Sequence, residues 1–490
     1  MANSFNQLNT FRQRVLEEVA SRAYQGKLSK EDVNEIALKI VPYQRPKVRC
    51  CVYKEREIIR ERAYLAMGYG PEGQEAVPGQ FVYVLPAACD DCNIHKVRIT
   101  DNCQKCLFRP CTKACHFDAI YEGDSKMHIN YAKCKACTMC AQACPYGAIL
   151  VSDRPCHKAC PTGALKYLED EIAQIQDDEC INCGRCSASC PFGGISEISF
   201  VAPVIKEILA GKRVVAMVAP AIVGQWGNAS LKQVYDALLA LGFTDIIEVS
   251  QGADLTSKYE AEEALESKKN GVKITTSCCP AFVSLVKKYY PDVYLKHTSD
   301  VLSPMAITAR MAREKYPGAV NVFLGPCVAK KAERLLKKNI GNIDYVLTFE
   351  EIDAMLRAKG IEPAQMAGKA EVPGGSYSGK NFCNTGGVAS SLNSYLAESG
   401  SSERLTLKLA NGSAECVKYV KELALGKQQE DVLEGMICEG GCMAGVDSQA
   451  VNLFQVKAHA EKENASSKST KIASAEEGFH VECHFDKSQN

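Results

Sequence analysis

The feature that most constrains this chain is where its cysteines fall. Sixteen of its 26 cysteines lie between Cys89 and Cys190, mostly two or three residues apart. A secreted disulfide scaffold would be short and would carry an export signal. This chain has 490 residues, and its opening MANSFNQLNTFRQRVLEEVA lacks the apolar core of a signal peptide. Dense C-x-x-C runs in a long chain are metal ligands kept free by a reducing compartment, so a cytoplasmic location is expected. Formal net charge is zero, which argues against nucleic acid as the main partner. No apolar run approaches the roughly eighteen residues of a membrane span, so no membrane partner is expected either.

The spacing is that of iron–sulfur ligands. Two-cluster ferredoxins carry C-x2-C-x2-C-x3-C-P twice, and the fourth Cys of each run ligates the other cluster. Cys134, Cys137, Cys140 and Cys144, followed by Pro145, form one run. Cys103, Cys106, Cys111 and Cys115 form the other, with a longer gap before Cys111 and His116 in place of Pro. Crossing the fourth ligands groups Cys103, Cys106, Cys111 and Cys144, and separately Cys115, Cys134, Cys137 and Cys140. A second unit follows. Cys180, Cys183, Cys186 and Cys190 with Pro191 are an intact run, preceded by the half-run Cys156, Cys160 and Pro161. Cys160 completes the group with Cys180, Cys183 and Cys186. The spare pair Cys89 and Cys92 then joins Cys156 and Cys190 in a fourth group. Three to four accessory [4Fe–4S] clusters are therefore expected. Zinc, which also takes four thiolates from paired C-x-x-C, remains the alternative, chiefly for the Cys89 group. Cys50, Cys51, Cys383, Cys416 and Cys483 read as ordinary thiols.

Beyond residue 212 the texture changes. Short β-branched runs (RVVAMVAP, TDIIEVS, VKITTS, AVNVFLG, IDYVLTF, LTLKLA) alternate with helical patterns such as LKQVYDALLALG and PMAITARMAREKY. The expected fold class is α+β ferredoxin-like cluster domains followed by a large α/β catalytic domain. The expected divisions are a helical and mixed region at 1–88, a two-cluster domain at 89–150, a second cluster domain at 151–205, the catalytic domain at 206–456 and a loose polar tail at 457–490. Within the first region two short helices are expected before residue 45, then a solvated helix around Arg56–Arg62.

Three further segments carry cysteine without ferredoxin spacing: Thr276-Ser-Cys-Cys-Pro280, Gly325-Pro-Cys-Val-Ala-Lys-Lys-Ala-Glu333 and Glu434-Gly-Met-Ile-Cys-Glu-Gly-Gly-Cys-Met-Ala-Gly445. The first two follow predicted strands, where sites assemble in open α/β sheets. Together, in this order and downstream of cluster runs, they resemble the three signature motifs of [FeFe] hydrogenases over residues 210–455. The resemblance implies that Cys279, Cys327, Cys438 and Cys442 hold a [4Fe–4S] cube. Through Cys442 the cube would bridge to a two-iron subcluster with CO, cyanide and an azadithiolate, the whole being the H-cluster. Cys278 would pass protons to the bridging amine, Lys330 would hydrogen-bond a cyanide, and Met436 would pack beside the subcluster. Glu260 and Glu263, three apart on one helix face, would continue the relay with Ser299 between them. Ser303-Pro304 and Thr385-Gly-Gly-Val388 fit the family's packing segments.

The departures from the familiar members are also specific. Phe282 stands where they have Trp, Gly325 where they have Met, and Ala221 after Pro220 where they have Ser, which removes a cyanide hydrogen bond. The outermost arginine of the proton path is not evident near Ser267–Lys269. The pattern resembles the group B branch, and an intact site with shifted potential, catalytic bias or oxygen tolerance is expected. The resemblance implies a soluble electron carrier, ferredoxin or flavodoxin, docking near residues 89–200, and dedicated maturation proteins. Competing readings are an iron–sulfur assembly relative without the two-iron subcluster, a hydrogen sensor, for which no signalling module is seen, and a plain polyferredoxin, which leaves the α/β half without a role.

Overall fold

The computed structural model describes residues 6–89, 92, 95–167, 172–449, 452–476 and 479–487. The chain opens on a long helix, α1 (Asn6–Tyr24), followed by helices at Val33–Ile40 and Val52–Ala66. The third of these is not solvated as its charges suggest. Glu55, Glu61 and Arg62 are buried, and backbone groups meet Glu55 and Arg62. One Glu55 carboxylate oxygen accepts from the N–H groups of Lys47, Val48 and Arg49, and Arg62 donates to the Gly193 carbonyl.

The cysteine region is built of two-stranded antiparallel ribbons, each supporting short helices that end on a cysteine. The pairs are Val97–Ile99 with Ile149–Val151, Ile120–Glu122 with Met127–Ile129, and Leu165–Tyr167 with Ala173–Ile175. Its last short helix is α2 (Arg185–Ser189). Non-glycine residues with positive φ concentrate here. Lys105, Ala136 and Asn182 take φ of 46°, 50° and 52° at the same place, one residue before the second Cys of each run. Side chains rarely adopt this conformation, and such outliers persist where surrounding structure over-determines them.

The second half is α/β, as its alternating runs require. Strands β1 (Val214–Val218), β2 (Asp245–Glu248), β3 (Ile274–Thr275), β4 (Val320–Leu324), β5 (Tyr345–Leu347), β6 (Leu407–Asn411) and β7 (Val432–Met436) form two parallel sheets, ordered β2-β1-β4-β5 and β3-β7-β6. Register in the larger sheet pairs Val214 with Val320 and Val218 with Leu324. β1 and β4 are buried at every residue, as expected of parallel strands covered on both faces. β7 was not evident in the sequence because Glu434 and Gly435 interrupt its apolar run. Glu434 is tolerated because it accepts from the N–H groups of Gly386 and Ala389, each at 2.7 Å.

Four helices of this half frame the site: α3 (Val249–Lys269), α4 (Pro280–Tyr289), α5 (Pro304–Lys315) and α6 (Ala329–Glu333). α3 and α5 cross closely at Gly252, where a Cβ would lie 2.3 Å from Thr308 Oγ1 and 2.5 Å from the Pro304 carbonyl. Further on, α7 (Phe349–Ala358) packs on α1, and α8 (Gly387–Glu398) packs on α3.

The polar tail is not loose among its described residues. Leu453–Asn464 is helical, and the segment 479–487 runs beside residues 298–302, with His484 bridged antiparallel to Val301. Phe479, Val481, Cys483 and Phe485 pack with Leu255, Val301, Leu302, Ile307 and Met311. That alternation of apolar residues is a strand signal that the surrounding Ser/Lys/Glu composition hides. Among the described residues no helix is long and apolar enough to cross a membrane.

Candidate active site and cluster centres

The site lies at the carboxyl ends of parallel strands, where loops from distant parts of the sequence meet. Ala219, Pro220 and Ala221 follow β1, Cys278 and Cys279 follow β3, Cys327 follows β4, and Cys438 and Cys442 follow β7. All of these line one cavity with about 900 Å³ of atom-free space, part of it open to solvent, together with Ala253, Phe323, Phe382, Met436 and Lys330. Burial raises the Cys442 thiol, and Cys327, Cys279, Cys438 and Cys383 are near enough to add to the rise. Cys279 precedes Pro280, the first residue of α4. Gly441, with φ of 82°, lets the third-motif loop close on the Cys383 carbonyl, 2.4 Å from where a Cβ would be.

Among the described residues, one cation lines this wall. Lys330, on α6, is buried; its Nζ donates to Glu333 Oε2 at 2.6 Å and to the Cys278 carbonyl at 3.4 Å. Burial alone would lower its pKa, but the Glu333 carboxylate and the nearby Cys327 and Cys278 hold it above the ordinary lysine value. Glu333 is in turn held by the Ser303 hydroxyl, which donates to Oε1 at 2.5 Å. Ser303 therefore acts through Glu333 and by capping α5, and it stands outside the cavity lining. Glu333 had no role in the sequence reading, because an i,i+3 Lys–Glu pair is common on helix surfaces and only burial distinguishes this one. Four thiols, a buried cation and apolar walls fit an anionic iron–sulfur group: thiolates are its ligands, and a buried anion needs a paired donor.

A carboxylate chain leads away from Cys278. Glu260 is fully buried on α3. Its Oε1 accepts from the Ser277 N–H at 2.8 Å and lies 3.0 Å from the Ser277 hydroxyl, while its Oε2 has no partner among the described residues. Burial, with the charge of Glu263 adding to it, pushes Glu260 up to about 8. The Ser299 hydroxyl donates to Glu263 Oε2 at 2.5 Å and lies beside Glu260. Burial raises Glu263 as well, opposed by Ser299, Lys487 and His484. The structure thus brings Glu260, Ser299 and Glu263 into one file, with Cys278 close enough to Glu260 to be raised by its charge.

The remaining predicted lining residues are divided. Pro220, Ala221 and Met436 face the cavity. Phe282 does not; it packs across Gly435, where a Cβ would meet its ring at 2.3 Å. Gly325 does not either, because the Phe323 ring fills the space beside it, 2.6 Å from a built Cβ. Cys383, read as an ordinary thiol, does line the cavity, and its Sγ–H donates to the Lys380 carbonyl.

Two of the four groups in the crossed pattern share a cavity each. Cys103, Cys106, Cys111 and Cys144 line one small cavity. Cys89, Cys92, Cys156 and Cys190 line another, closed by Pro155, Pro191 and Phe192. Burial raises Cys140, with Cys115 and Cys134 adding to it, while Cys137 is exposed. Cys183 is raised by burial, then by Cys180 and Cys160, and Cys186 by burial, then Cys183. Cys183 also lines the large cavity and lies near Cys438, so this group abuts the main site. Backbone N–H groups point at several sulfurs: Ala119 at Cys115, Ala136 at Cys134, Asn182 at Cys180 and Gly194 at Cys190, at 3.2–3.4 Å.

Comparison with known proteins gives a consistent picture. Residues 212–446 match the C-terminal domain of the iron-only hydrogenase large subunit. Residues 150–201 match the LdpA Fe–S cluster-binding domain, and 127–150 a 4Fe–4S binding domain. The chain is 29% identical to iron hydrogenase 1 of Clostridium pasteurianum over 68% of its length; it spans 66% of that relative, just under two thirds. It is 29% identical to the large subunit of the periplasmic [Fe] hydrogenase from Nitratidesulfovibrio vulgaris, covering 65% of this chain and 86% of that one. It is also 24% identical to a probable cytosolic Fe–S cluster assembly factor of Brugia malayi, over 42% of this chain and 55% of that one. A solved [FeFe]-hydrogenase from Chlamydomonas reinhardtii aligns with 57% of this chain and 95% of its own, at 21% identity and a TM-score of 0.46.

Proposed function

We propose, for a chain that belongs to the [FeFe]-hydrogenase family through residues 212–446, that it interconverts hydrogen with protons and electrons. Cys279, Cys327, Cys438 and Cys442 would hold an H-cluster, with Lys330 as partner to its anionic ligands. When bound, that cluster would supply the open metal site at which hydrogen is cleaved or formed. The observation that carries the reading is the buried file from Cys278 to Glu263, which starts at the thiol-lined cavity. A scaffold for cluster assembly or a simple electron carrier has no use for it.

The chain's own residues divide the work. The Cys278 thiol, buried at the cavity wall, exchanges a proton with Glu260. Glu260, lifted to about 8 by burial, can hold that proton near neutral pH, as a general acid–base must. The Ser299 hydroxyl, which both donates and accepts, passes it to Glu263 Oε2. Lys330, pinned by Glu333, keeps one orientation and one charge state. Electrons would have a separate exit: the group of Cys160, Cys180, Cys183 and Cys186 adjoins the cavity through Cys183, and the other cysteine groups would carry them onward. A ferredoxin or flavodoxin in the cytoplasm would receive or supply them, and maturation proteins would install the diiron part.

A second reading, an assembly-type member with a cube alone, is favoured by Ala221, which offers no hydroxyl to the cavity, and by the assembly-factor relative. Infrared spectroscopy with an iron count, on protein produced with hydrogenase maturation proteins, separates the two. We expect bands of bound CO and cyanide, and hydrogen turnover. The variant Cys278→Ala is expected to keep its iron while losing about 10²-fold or more in turnover. Absence of the bands in fully matured protein would select the second reading.

A further inference from the structure

The file of proton-carrying groups reaches Glu263, and something must separate it from bulk water. The segment 479–487 lies there. Its backbone is fixed to residues 300–302, because Leu302 N–H donates to the Cys483 carbonyl at 2.7 Å and Phe485 N–H to the Asp300 carbonyl at 3.0 Å. Its alternate residues Val481, Cys483 and Phe485 face inward onto Leu255, Leu302 and Ile307. The His484 ring meets Tyr259 of α3 edge-on, 5.2 Å between centroids. Lys487 donates to the Thr298 carbonyl and pairs with Asp300 at 2.8 Å, its side chain only 12% exposed. Thr298 and Asp300 flank Ser299, the hydroxyl of the relay.

We propose that residues 479–487 close the solvent end of the proton route, with Lys487 and His484 as positioning residues that control proton exchange between Glu263 and bulk water. The proposal deepens the hydrogenase reading and rests on it for its functional meaning.

Among the described residues the following groups face Glu263, and the Asp300 carboxylate, which pairs with Lys487, sits beside them. Ser299 and the Asp300 N–H bond its two oxygens, Lys487 and His484 face it from the strap, and Glu266 faces it from α3, with Glu260 further along the file. A buried carboxylate with only hydroxyl and amide donors would hold its proton tightly and release it slowly. A cation from the strap favours the ionised form and so promotes release outward. His484 is exposed, on the outer side of the strap from the inward-facing Cys483 and Phe485. It therefore stands between the buried carboxyl and water, and the proton that leaves Glu263 is replaced by one from Ser299 when the file advances.

The test is an infrared pH titration of the full chain carrying its [4Fe–4S] clusters before diiron loading. The readout is the carbonyl stretch of protonated Glu263, assigned by its loss in Glu263→Gln. In Lys487→Met we expect the midpoint to move up by about one pH unit, and in Lys487→Arg to return. His484→Asn should move it the same way by less. In the matured enzyme the pH dependence of hydrogen turnover should follow these shifts. An unchanged midpoint in Lys487→Met would overturn the proposal, as would a shift that Lys487→Arg fails to reverse. Because the titration needs no hydrogen turnover, its failure is distinct from failure of the hydrogenase reading, which would show as missing CO and cyanide bands.

Discussion

Glu260 shows how far a single residue is bent by its surroundings. A carboxylate with two good donors would ordinarily be held low. Here complete burial outweighs the Ser277 amide and hydroxyl, and the group is pushed up to about 8 from 4.5. Linkage then fixes a sign. Between 4.5 and 8 the unfolded chain ionises this group freely while the native site resists, so native stability falls as pH rises through that window. Glu260→Gln, which keeps an oxygen for the Ser277 N–H, is expected to be more stable than the parent, on the order of 3 kcal/mol at pH 7, and to lose about 10²-fold or more in turnover. Denaturant titrations at acid and alkaline pH, with hydrogen assays beside them, check both halves. The opposite movement of stability and activity separates a functional carboxylate from a structural one. The shared helix face of Glu260 and Glu263 was readable from their three-residue spacing, but their place in a relay only from the family resemblance. Glu333 was not, because its partners Lys330 and Ser303 are ordinary surface types whose burial depends on how α5 and α6 meet.

At the scale of elements, ligand spacing dictates backbone. Each full or near-full run repeats one geometry: a left-handed residue just before its second Cys, and another at the start of the short helix that carries its third. Arg109, Thr138 and Gly184 occupy that second place, with φ of 45°, 69° and 73°. Only Gly184 is free of the Cβ penalty, and it is the one pressed against Val328 and Val446 of the catalytic domain. Thr138 therefore carries a cost of about 1–2 kcal/mol, partly offset because glycine loses more chain entropy on folding. Thr138→Gly should stabilise the outer cluster unit by about 1 kcal/mol, seen as a higher denaturant midpoint for loss of the cluster absorbance. Regularity of this kind is why the cysteine groups were legible in the sequence: the constraint is local and repeats. The strand β7 was not legible, since Glu434 breaks the pattern and is explained only by the N–H groups of Gly386 and Ala389 at the start of α8, more than forty residues away. The strap 479–487 was hidden for a different reason, its strand alternation being embedded in a polar stretch.

Across the whole molecule, one side chain joins parts that nothing in their local sequence connects. Arg12 of α1 reaches Glu197 at the edge of the second cluster domain, Glu350 on α7 at 2.7 Å and Asp447 beyond the third motif at 3.2 Å. It also donates to Ser187 on α2, between Cys186 and Cys190. Burial lifts Glu350 to about 7, and Arg12 is the first group opposing that rise. The three carboxylates therefore pair with one guanidinium, with Arg62 and Lys331 as further cations nearby, and the cluster that would sit on Cys186 is tied to the catalytic domain through the same hub. Removing the cation leaves uncompensated charge in a low-dielectric site, which costs about 3–5 kcal/mol where one partner of a buried pair is deleted. Arg12→Met should therefore lower the denaturation midpoint at pH 8. It should recover part of the loss at pH 6, where Glu350 takes up a proton and the repulsion with Glu197 and Asp447 eases. A stability deficit independent of pH would mean that Arg12 acts by packing its stem alone. If the hub also fixes how the second cluster domain meets the cavity, amides in residues 185–197 should exchange faster in the variant than in the parent, while those of β1 and β4 stay protected.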